Sequence, residues 1–286
     1  MTNYIYRFWG ATLLIGRTLS ALFLRRLFNY EIIVTHSGKF HADEISAIAL
    51  WKVFKNNRVF IIRTRDEIAL SYFKSLRFIF IDVGREYSVM ELLFDHHQGG
   101  IPKSAAGLVL DYLDLEFYQQ LKDLIKKVDD NDLGISKPKG VDYITCISRF
   151  NYSEDFSGAV SFATTIVRSF ELELLRKRRA KKVAKQSKAW GTFTEVVIVN
   201  EYLRELGFFF DVKQTKHVRA IISEDKNLGQ FHISPTKVKF GSKRLWGYPL
   251  RECDNVNMVF VHELGFYAIA KNKSDAVNFL IANGYS

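Results

Sequence analysis

The chain has 286 residues, 48% of them apolar and 25% charged. These proportions exclude a disordered or low-complexity chain and allow one large core or two modest ones. Two cysteines, Cys146 and Cys253, are too few for a disulfide framework and suit a reducing compartment, while a net charge of +10 favours a polyanionic partner without requiring one.

Residues 1–30 contain no acidic side chain and carry Arg7, Arg17, Arg25 and Arg26 in an apolar, hydroxyl-containing stretch. That is the composition of a mitochondrial presequence, which is the favoured reading, with a cytoplasmic or nuclear location as the alternative. A signal anchor is a rival. Arg17 interrupts its apolar run from Trp9 to Leu24, which is short of the ~20 residues a spanning helix needs. The third reading is an amphipathic helix docked on the next domain. No stable membrane insertion is expected.

From Glu31 onward the order is α/β. Glu31 to Thr35 reads as a strand and Asp43 to Lys55 as a helix, with Ile45, Ile48, Ala49 and Phe54 among its apolar positions. Arg58 to Arg63, Arg77 to Val83 and Leu92 to Phe94 read as further strands, with a short helix over Asp66 to Phe73. Ser104 is placed to cap a following helix. Strands alternating with helices predict a parallel sheet covered by helices on both faces. Helices are expected over Glu116 to Val128 and Asp142 to Phe150.

A long helix from Ser157 to about Trp190 begins with small and apolar residues (Ala159, Val160, Ala163, Val167) and ends in the basic run Arg176 to Lys182. Strands follow over Glu195 to Val199, Phe208 to Val212, Val218 to Ser223, Phe231 to Ile233 and Met258 to His262, and a last helix over Asp275 to Ala282. The expected division is a targeting-like segment 1–30, a metal-binding domain 31–155, a connecting helix 156–190 and a smaller α/β C-terminal domain 191–286. The basic run can neutralise phosphates, and read alone it is a solvated helix face.

Three clusters end the early strands: Thr35-His36-Ser37-Gly38-Lys39-Phe40-His41-Ala42-Asp43-Glu44, Phe80-Ile81-Asp82-Val83-Gly84 and Phe94-Asp95-His96-His97-Gln98. The C-terminal ends of parallel strands lie side by side at one sheet edge, so three segments bring imidazoles and carboxylates together. Such donors suit Mn²⁺, Mg²⁺ or Zn²⁺, with no thiolate to force another choice. They are too many for one ordinary site, and a pair of divalent ions sharing a carboxylate accommodates them; such pairs activate water and clamp phosphoryl oxygens. Singly, each residue has an ordinary reading: Asp43 and Glu44 begin a helix, and His97 is a core histidine. Their joint occurrence points to a metal site.

These strings resemble the DHH phosphoesterases, and within them the Myg-type (melanocyte proliferating gene) branch, whose members are 3′-to-5′ RNA exonucleases. The resemblance extends through Ser104-Ala105-Ala106-Gly107-Leu108-Val109, Val128-Asp129-Asp130-Asn131-Asp132-Leu133-Gly134-Ile135, Ser148-Arg149-Phe150-Asn151 and Phe260-Val261-His262-Glu263-Leu264-Gly265-Phe266. It implies His36, His41, Asp43 and His96 as metal ligands, Asp82 as the bridge between two ions, and Asp129 or Asp132 as a further ligand, with Asp132 favoured. It implies Asp95 as the carboxylate orienting His96, and His97 facing the scissile phosphate. Arg149, His262 and Gly265 would meet substrate. The chain departs from the family where Leu133 replaces an Asn and where Tyr267-Ala268 follow Phe266 in place of paired glycines.

The expected activity is hydrolysis of single-stranded RNA to nucleoside 5′-monophosphates, with two Mn²⁺ or Mg²⁺ ions as cofactors. A small-molecule phosphoesterase acting on pyrophosphate or dinucleotides, and a catalytically silent RNA-binding protein on the same scaffold, are the alternatives.

Overall fold

The computed structural model describes residues 16, 18–115, 118–187, 196–203, 206, 218–240, 243–246, 249–253 and 256–285. The strand expected over Phe208 to Val212 lies outside them, as does most of the segment before Thr18. The chain divides into two compact units, Met1–Glu171 and Leu172–Ser286.

In unit 1, residues 18–28 form helix α1. The sheet strands are β1 (Glu31–Thr35), β2 (Val59–Arg63), β3 (Ile79–Ile81), β4 (Tyr87–Ser88) and β5 (Leu93–Phe94), in the order β2-β1-β3-β5-β4. All neighbours are parallel except β4 and β5. Helix α2 (Ala42–Phe54) connects β1 to β2 and α3 (Glu67–Ser75) connects β2 to β3. Because the chain leaves β1 for one neighbour and returns on its other side, the strand order reverses at the β1–β3 pair. That reversal opens a crevice at their C-terminal ends, where ligands of open α/β sheets bind.

Side-chain alternation along the strands sorts the two cores. Ile33, Ile79, Ile81 and Phe94 face α2, α4 (Ala105–Tyr112), α5 (Gln119–Asp132), α6 (Tyr143–Arg149) and the first half of α7 (Phe156–Ser187). Ile32, Val34, Phe80 and Leu93 face the opposite way, onto α3 and Ala21 of α1. Helix α2 is buried along its whole length except at Lys52 and Phe54, which is why its sequence is apolar nearly all round. Trp51 stacks on Tyr112 at 5.5 Å, and its indole N–H donates to the Glu31 carboxylate.

Unit 2 holds a five-stranded sheet in the order β11-β12-β8-β7-β6, made of β6 (Val196–Val199), β7 (Ala220–Asp225), β8 (Gln230–Pro235), β11 (Met258–Val261) and β12 (Ala268–Ala270). A separate ribbon pairs β9 (Lys237–Phe240) with β10 (Lys243–Trp246). Helix α8 (Lys273–Ala282) covers one sheet face through Ala276, Phe279 and Leu280. No described helix is long and apolar enough to cross a membrane.

Candidate metal centre

The loop from β1 to α2 carries His36 and His41 and is fixed from three sides. Arg63 donates to the main-chain oxygens of His36 (3.2 Å) and Gly38 (2.7 Å), and Arg65 donates to that of Ser37 (3.0 Å). Asn151 accepts the Phe40 N–H at 3.0 Å and donates to the Phe40 oxygen at 2.8 Å. The Arg149-Phe150-Asn151 element thus acts through Asn151 on the first motif. Arg149 itself lies against the Tyr152 ring at 5.7 Å.

Asp43 and Glu44 fall in the first turn of α2 and both are buried. Glu44 Oε2 accepts the His41 N–H at 2.8 Å, and Oε1 lies 2.9 Å from His36 Nε2. The same His36 nitrogen is 3.3 Å from Asp82 Oδ2. Asp82 follows β3 in a left-handed conformation (φ 53°), a small conformational cost that Asp tolerates better than most residues. From the far side, His96 Nδ1 is 3.9 Å and His97 Nδ1 3.4 Å from Asp82 Oδ1. His96 Nε2 is 3.0 Å from Asp132 Oδ2, at the end of α5. His36, Asp82, His96, His97 and Asp132 line a cleft of about 610 Å³ with His41, Arg65 and Arg85.

Among the described residues three candidate ligand sets emerge, each with its donor atoms within 4.8 Å of one another: His36, His41, Glu44 and Asp82; Asp82, Asp95, His96 and His97; and Asp43, His96 and Asp132. Asp82 belongs to two of them and His96 to two. Buried polar atoms ordinarily have hydrogen-bond partners. Among the described residues His36 Nε2, both Asp43 oxygens, Glu44 Oε1, Asp82 Oδ1, His96 Nδ1 and Asp132 Oδ2 are buried without one. One concentration of orphaned carboxylate and imidazole atoms matches the donor chemistry of a divalent cation, and neither cysteine belongs to it.

The electrostatics express the same crowding. Burial, then the charges of Asp82, Glu44 and Asp132, push Asp43 well above the usual carboxylate range. Burial also raises Asp82, against the pull of His36. For His36, burial is outweighed by the neighbouring carboxylates of Asp82 and Glu44, and its imidazole is pushed up to about 10. The Asp132 carboxylate raises His96.

Two sequence expectations are corrected in detail. Asp95 does not orient His96: its Oδ1 accepts from His97 Nδ1 at 2.6 Å and from the His97 N–H at 3.0 Å, and its Oδ2 accepts the Arg85 N–H at 2.7 Å. Burial would raise this carboxyl, but these hydrogen bonds hold it below the usual range. Ser104 stands at the N-cap of α4, yet its hydroxyl caps nothing. It donates instead to Asp129 Oδ1 at 2.7 Å, and the Ser104 N–H donates there at 3.0 Å. Asp129 therefore braces the start of α4, and of the two acidic candidates Asp132 is the one beside His96.

His262 and Gly265 lie in unit 2, in the turn after β11. His262 Nδ1 accepts the Leu264 N–H at 3.0 Å. Gly265 has φ 69°, and a Cβ there would meet the Leu250 oxygen at 2.5 Å, so only glycine fits. Sequence reasoning missed Glu44, Arg63, Arg65 and Asn151 as parts of the centre. Glu44 had one legible signal, its place three residues after His41, which it shares with an ordinary helix start.

An imidazole–carboxylate cluster at the C-terminal edge of a parallel-rich sheet defines an α/β protein with a centre suited to divalent cations. The family model described as an uncharacterised protein family (UPF0160) matches residues 32–133, and the chain is similar to several MYG1 proteins. The MYG1 protein of Chlamydia muridarum is 35% identical over 159 residues, covering 51% of this chain and 53% of that protein. The MYG1 protein C694.04c of Schizosaccharomyces pombe is 29% identical over 238 residues, 65% of this chain and 72% of that protein. A Rattus norvegicus protein named MYG1 exonuclease is 39% identical over 77 residues, 27% of this chain and 19% of that protein. The chain spans about half the length of the chlamydial relatives it matches. No solved structure matches it.

Proposed function

We propose that this chain is a divalent-metal-dependent phosphodiesterase that removes nucleotides from the 3′ end of single-stranded RNA as nucleoside 5′-monophosphates. The observation that carries the reading is the set of orphaned buried atoms on His36, Asp43, Glu44, Asp82, His96 and Asp132. The exonuclease name of the rat relative and the net charge of +10 support it. His36, His41, Asp43, Asp82, His96 and Asp132 would hold two ions, Mn²⁺ or Mg²⁺, with Asp82 between them. Bound there, such ions supply an activated water and neutralise the phosphoryl oxygens. Asp95 fixes the His97 ring through Nδ1, which leaves Nε2 to donate to the scissile phosphate. Arg149 and His262 are the proposed further phosphate contacts.

The test uses the full chain with 5′-labelled single-stranded RNA and Mn²⁺. A ladder shortening from the 3′ end, abolished by EDTA and by Asp82→Ala, is the expected result. Full activity in a folded Asp82→Ala protein would refute it. The cleft of about 610 Å³ is of the size of small-molecule sites and favours the second reading, hydrolysis of pyrophosphate or dinucleotides. Intact RNA beside rapid turnover of those compounds would select it.

A further inference from the structure

Half of one sheet face in unit 2 is lined with aromatic rings that the metal centre does not use. On the α8 side, Ala220, Ile222, Ile233, Ala268 and Ala270 form the core. On the opposite side, Val197, Val199 and Ile221 of β6 and β7 are covered by Ala180 and Ala184 of α7. The same alternation places His232 of β8, Ile269 of β12 and Phe260 of β11 on that opposite side, beyond the cover of those two alanines. Tyr267 and His262 pair at the adjoining strand ends, where the His262 N–H donates to the Tyr267 oxygen at 2.8 Å.

The rings form a chain. Tyr202 stacks on His232 with centroids 4.0 Å apart, His232 meets Tyr267 at 5.6 Å, and Tyr267 meets Phe260 at 6.4 Å. Phe260 meets His262 at 6.1 Å, and His262 meets Phe266 at 3.8 Å. The Tyr267 hydroxyl is tied to His232 Nδ1. Within this array Phe260 stands on the edge strand β11 with 44% of its surface exposed. The helix that covers the neighbouring half of the face exposes Arg176, Lys181 and Lys182.

An occupant must offer flat apolar surfaces together with negative charge. Single-stranded nucleic acid does so, because its unpaired bases stack on aromatic side chains while its phosphates seek cations. We propose that this half-face is a base-stacking platform for single-stranded RNA, with the exposed Phe260 as the ring that receives a base and α7 as the flanking phosphate contact. It rests on the nuclease reading and deepens it, since it assigns how the strand is gripped and not how it is cut.

The experiment is fluorescence anisotropy of a labelled RNA oligonucleotide with the full chain in EDTA, so that binding is read without turnover. Phe260→Ala is expected to weaken binding about tenfold, the scale of one lost base stack, and Phe260→Trp to restore it. Wild-type affinity in Phe260→Ala, or equal loss in the Ala and Trp variants, overturns the platform and leaves the nuclease reading standing. Wild-type turnover of bis(p-nitrophenyl) phosphate with Mn²⁺, assayed in parallel, reports the metal centre alone. If the wild type turns over that diester yet neither binds nor cuts RNA, the RNA reading falls and the platform with it.

Discussion

Asp95 Oδ1 and His97 Nδ1 are 2.6 Å apart, with the carboxylate buried and the imidazole half exposed to the cleft. A buried carboxylate that accepts from Nδ1 selects the ring tautomer and fixes the ring's orientation. Asp95→Asn keeps the shape but exchanges an acceptor for a donor at one atom. The expected result is a fall in kcat of about 10- to 100-fold with the metal content unchanged. An unaltered kcat would mean that the pair does no more than hold the loop.

Asp129 and Asp132 lie one helical turn apart on α5 and predict opposite phenotypes. Asp129 accepts from Ser104 and presses so close to Gly107 that a Cβ there would lie 2.6 Å from its carboxylate oxygens. Asp129→Ala leaves the Ser104 N–H without its partner and is expected to cost about 1–3 kcal/mol, seen as a lower Tm with metal stoichiometry intact. Asp132→Ala removes a carboxylate that raises Asp43 through its charge. It is expected to leave the metal-free protein as stable as wild type or more so, while metal affinity in titration calorimetry falls at least about tenfold. Exchanged outcomes would reassign the ligand.

Most of this centre is legible in the sequence because its residues follow continuous apolar strands, and the strand-end rule needs no side-chain detail. β1 and α2 match their expected bounds within a residue or two. β4 is two residues long and exists only through its pairing with β5, so no periodicity announces it. β12 is three residues, Ala268-Ile269-Ala270, too short to carry a periodic signal, and its two alanines let α8 approach. The partner of Asp95 is illegible for another reason. His96 and His97 are equivalent as symbols, and only the turn after β5 decides which one meets the carboxylate.

Cation binding is expected to expel protons. Asp43 and Asp82 are raised, so the metal-free site gives up its carboxyl protons at higher pH than free carboxyls do. His36, raised to about 10, keeps its proton through neutrality, and His96 is shifted in the same direction. A cation needs those lone pairs, so each raised pKa makes binding weaker at low pH and stronger as pH rises. The Mn²⁺ affinity should climb about tenfold or more per pH unit through the neutral range. Calorimetry in buffers of different ionisation enthalpy should show at least one proton released per ion, and a buffer-independent heat would contradict the protonated resting site.

The helix before β1 leads to the last prediction. Ala21 and Thr18 are buried, Ala21 beside Phe73 and Phe78. Arg25 Nη1 donates to the Leu76 oxygen at 2.8 Å and its guanidinium lies over the Phe78 ring. At the helix end, the Phe28 and Asn29 oxygens accept from Arg58 (3.1 Å) and Asn56 (3.2 Å). Helix-terminal carbonyls need such partners, so the domain supplies what an isolated leader would have to find in water. Deleting residues 1–28 uncovers the Phe73–Phe78 pair and is expected to cost about 1–3 kcal/mol by area burial, lowering Tm by about 2–10 °C. A cut after Phe28 would remove part of the fold, so any processed N-terminus read by mass spectrometry should lie ahead of Thr18. An unchanged Tm on deletion would return the whole segment to the role of a disposable leader.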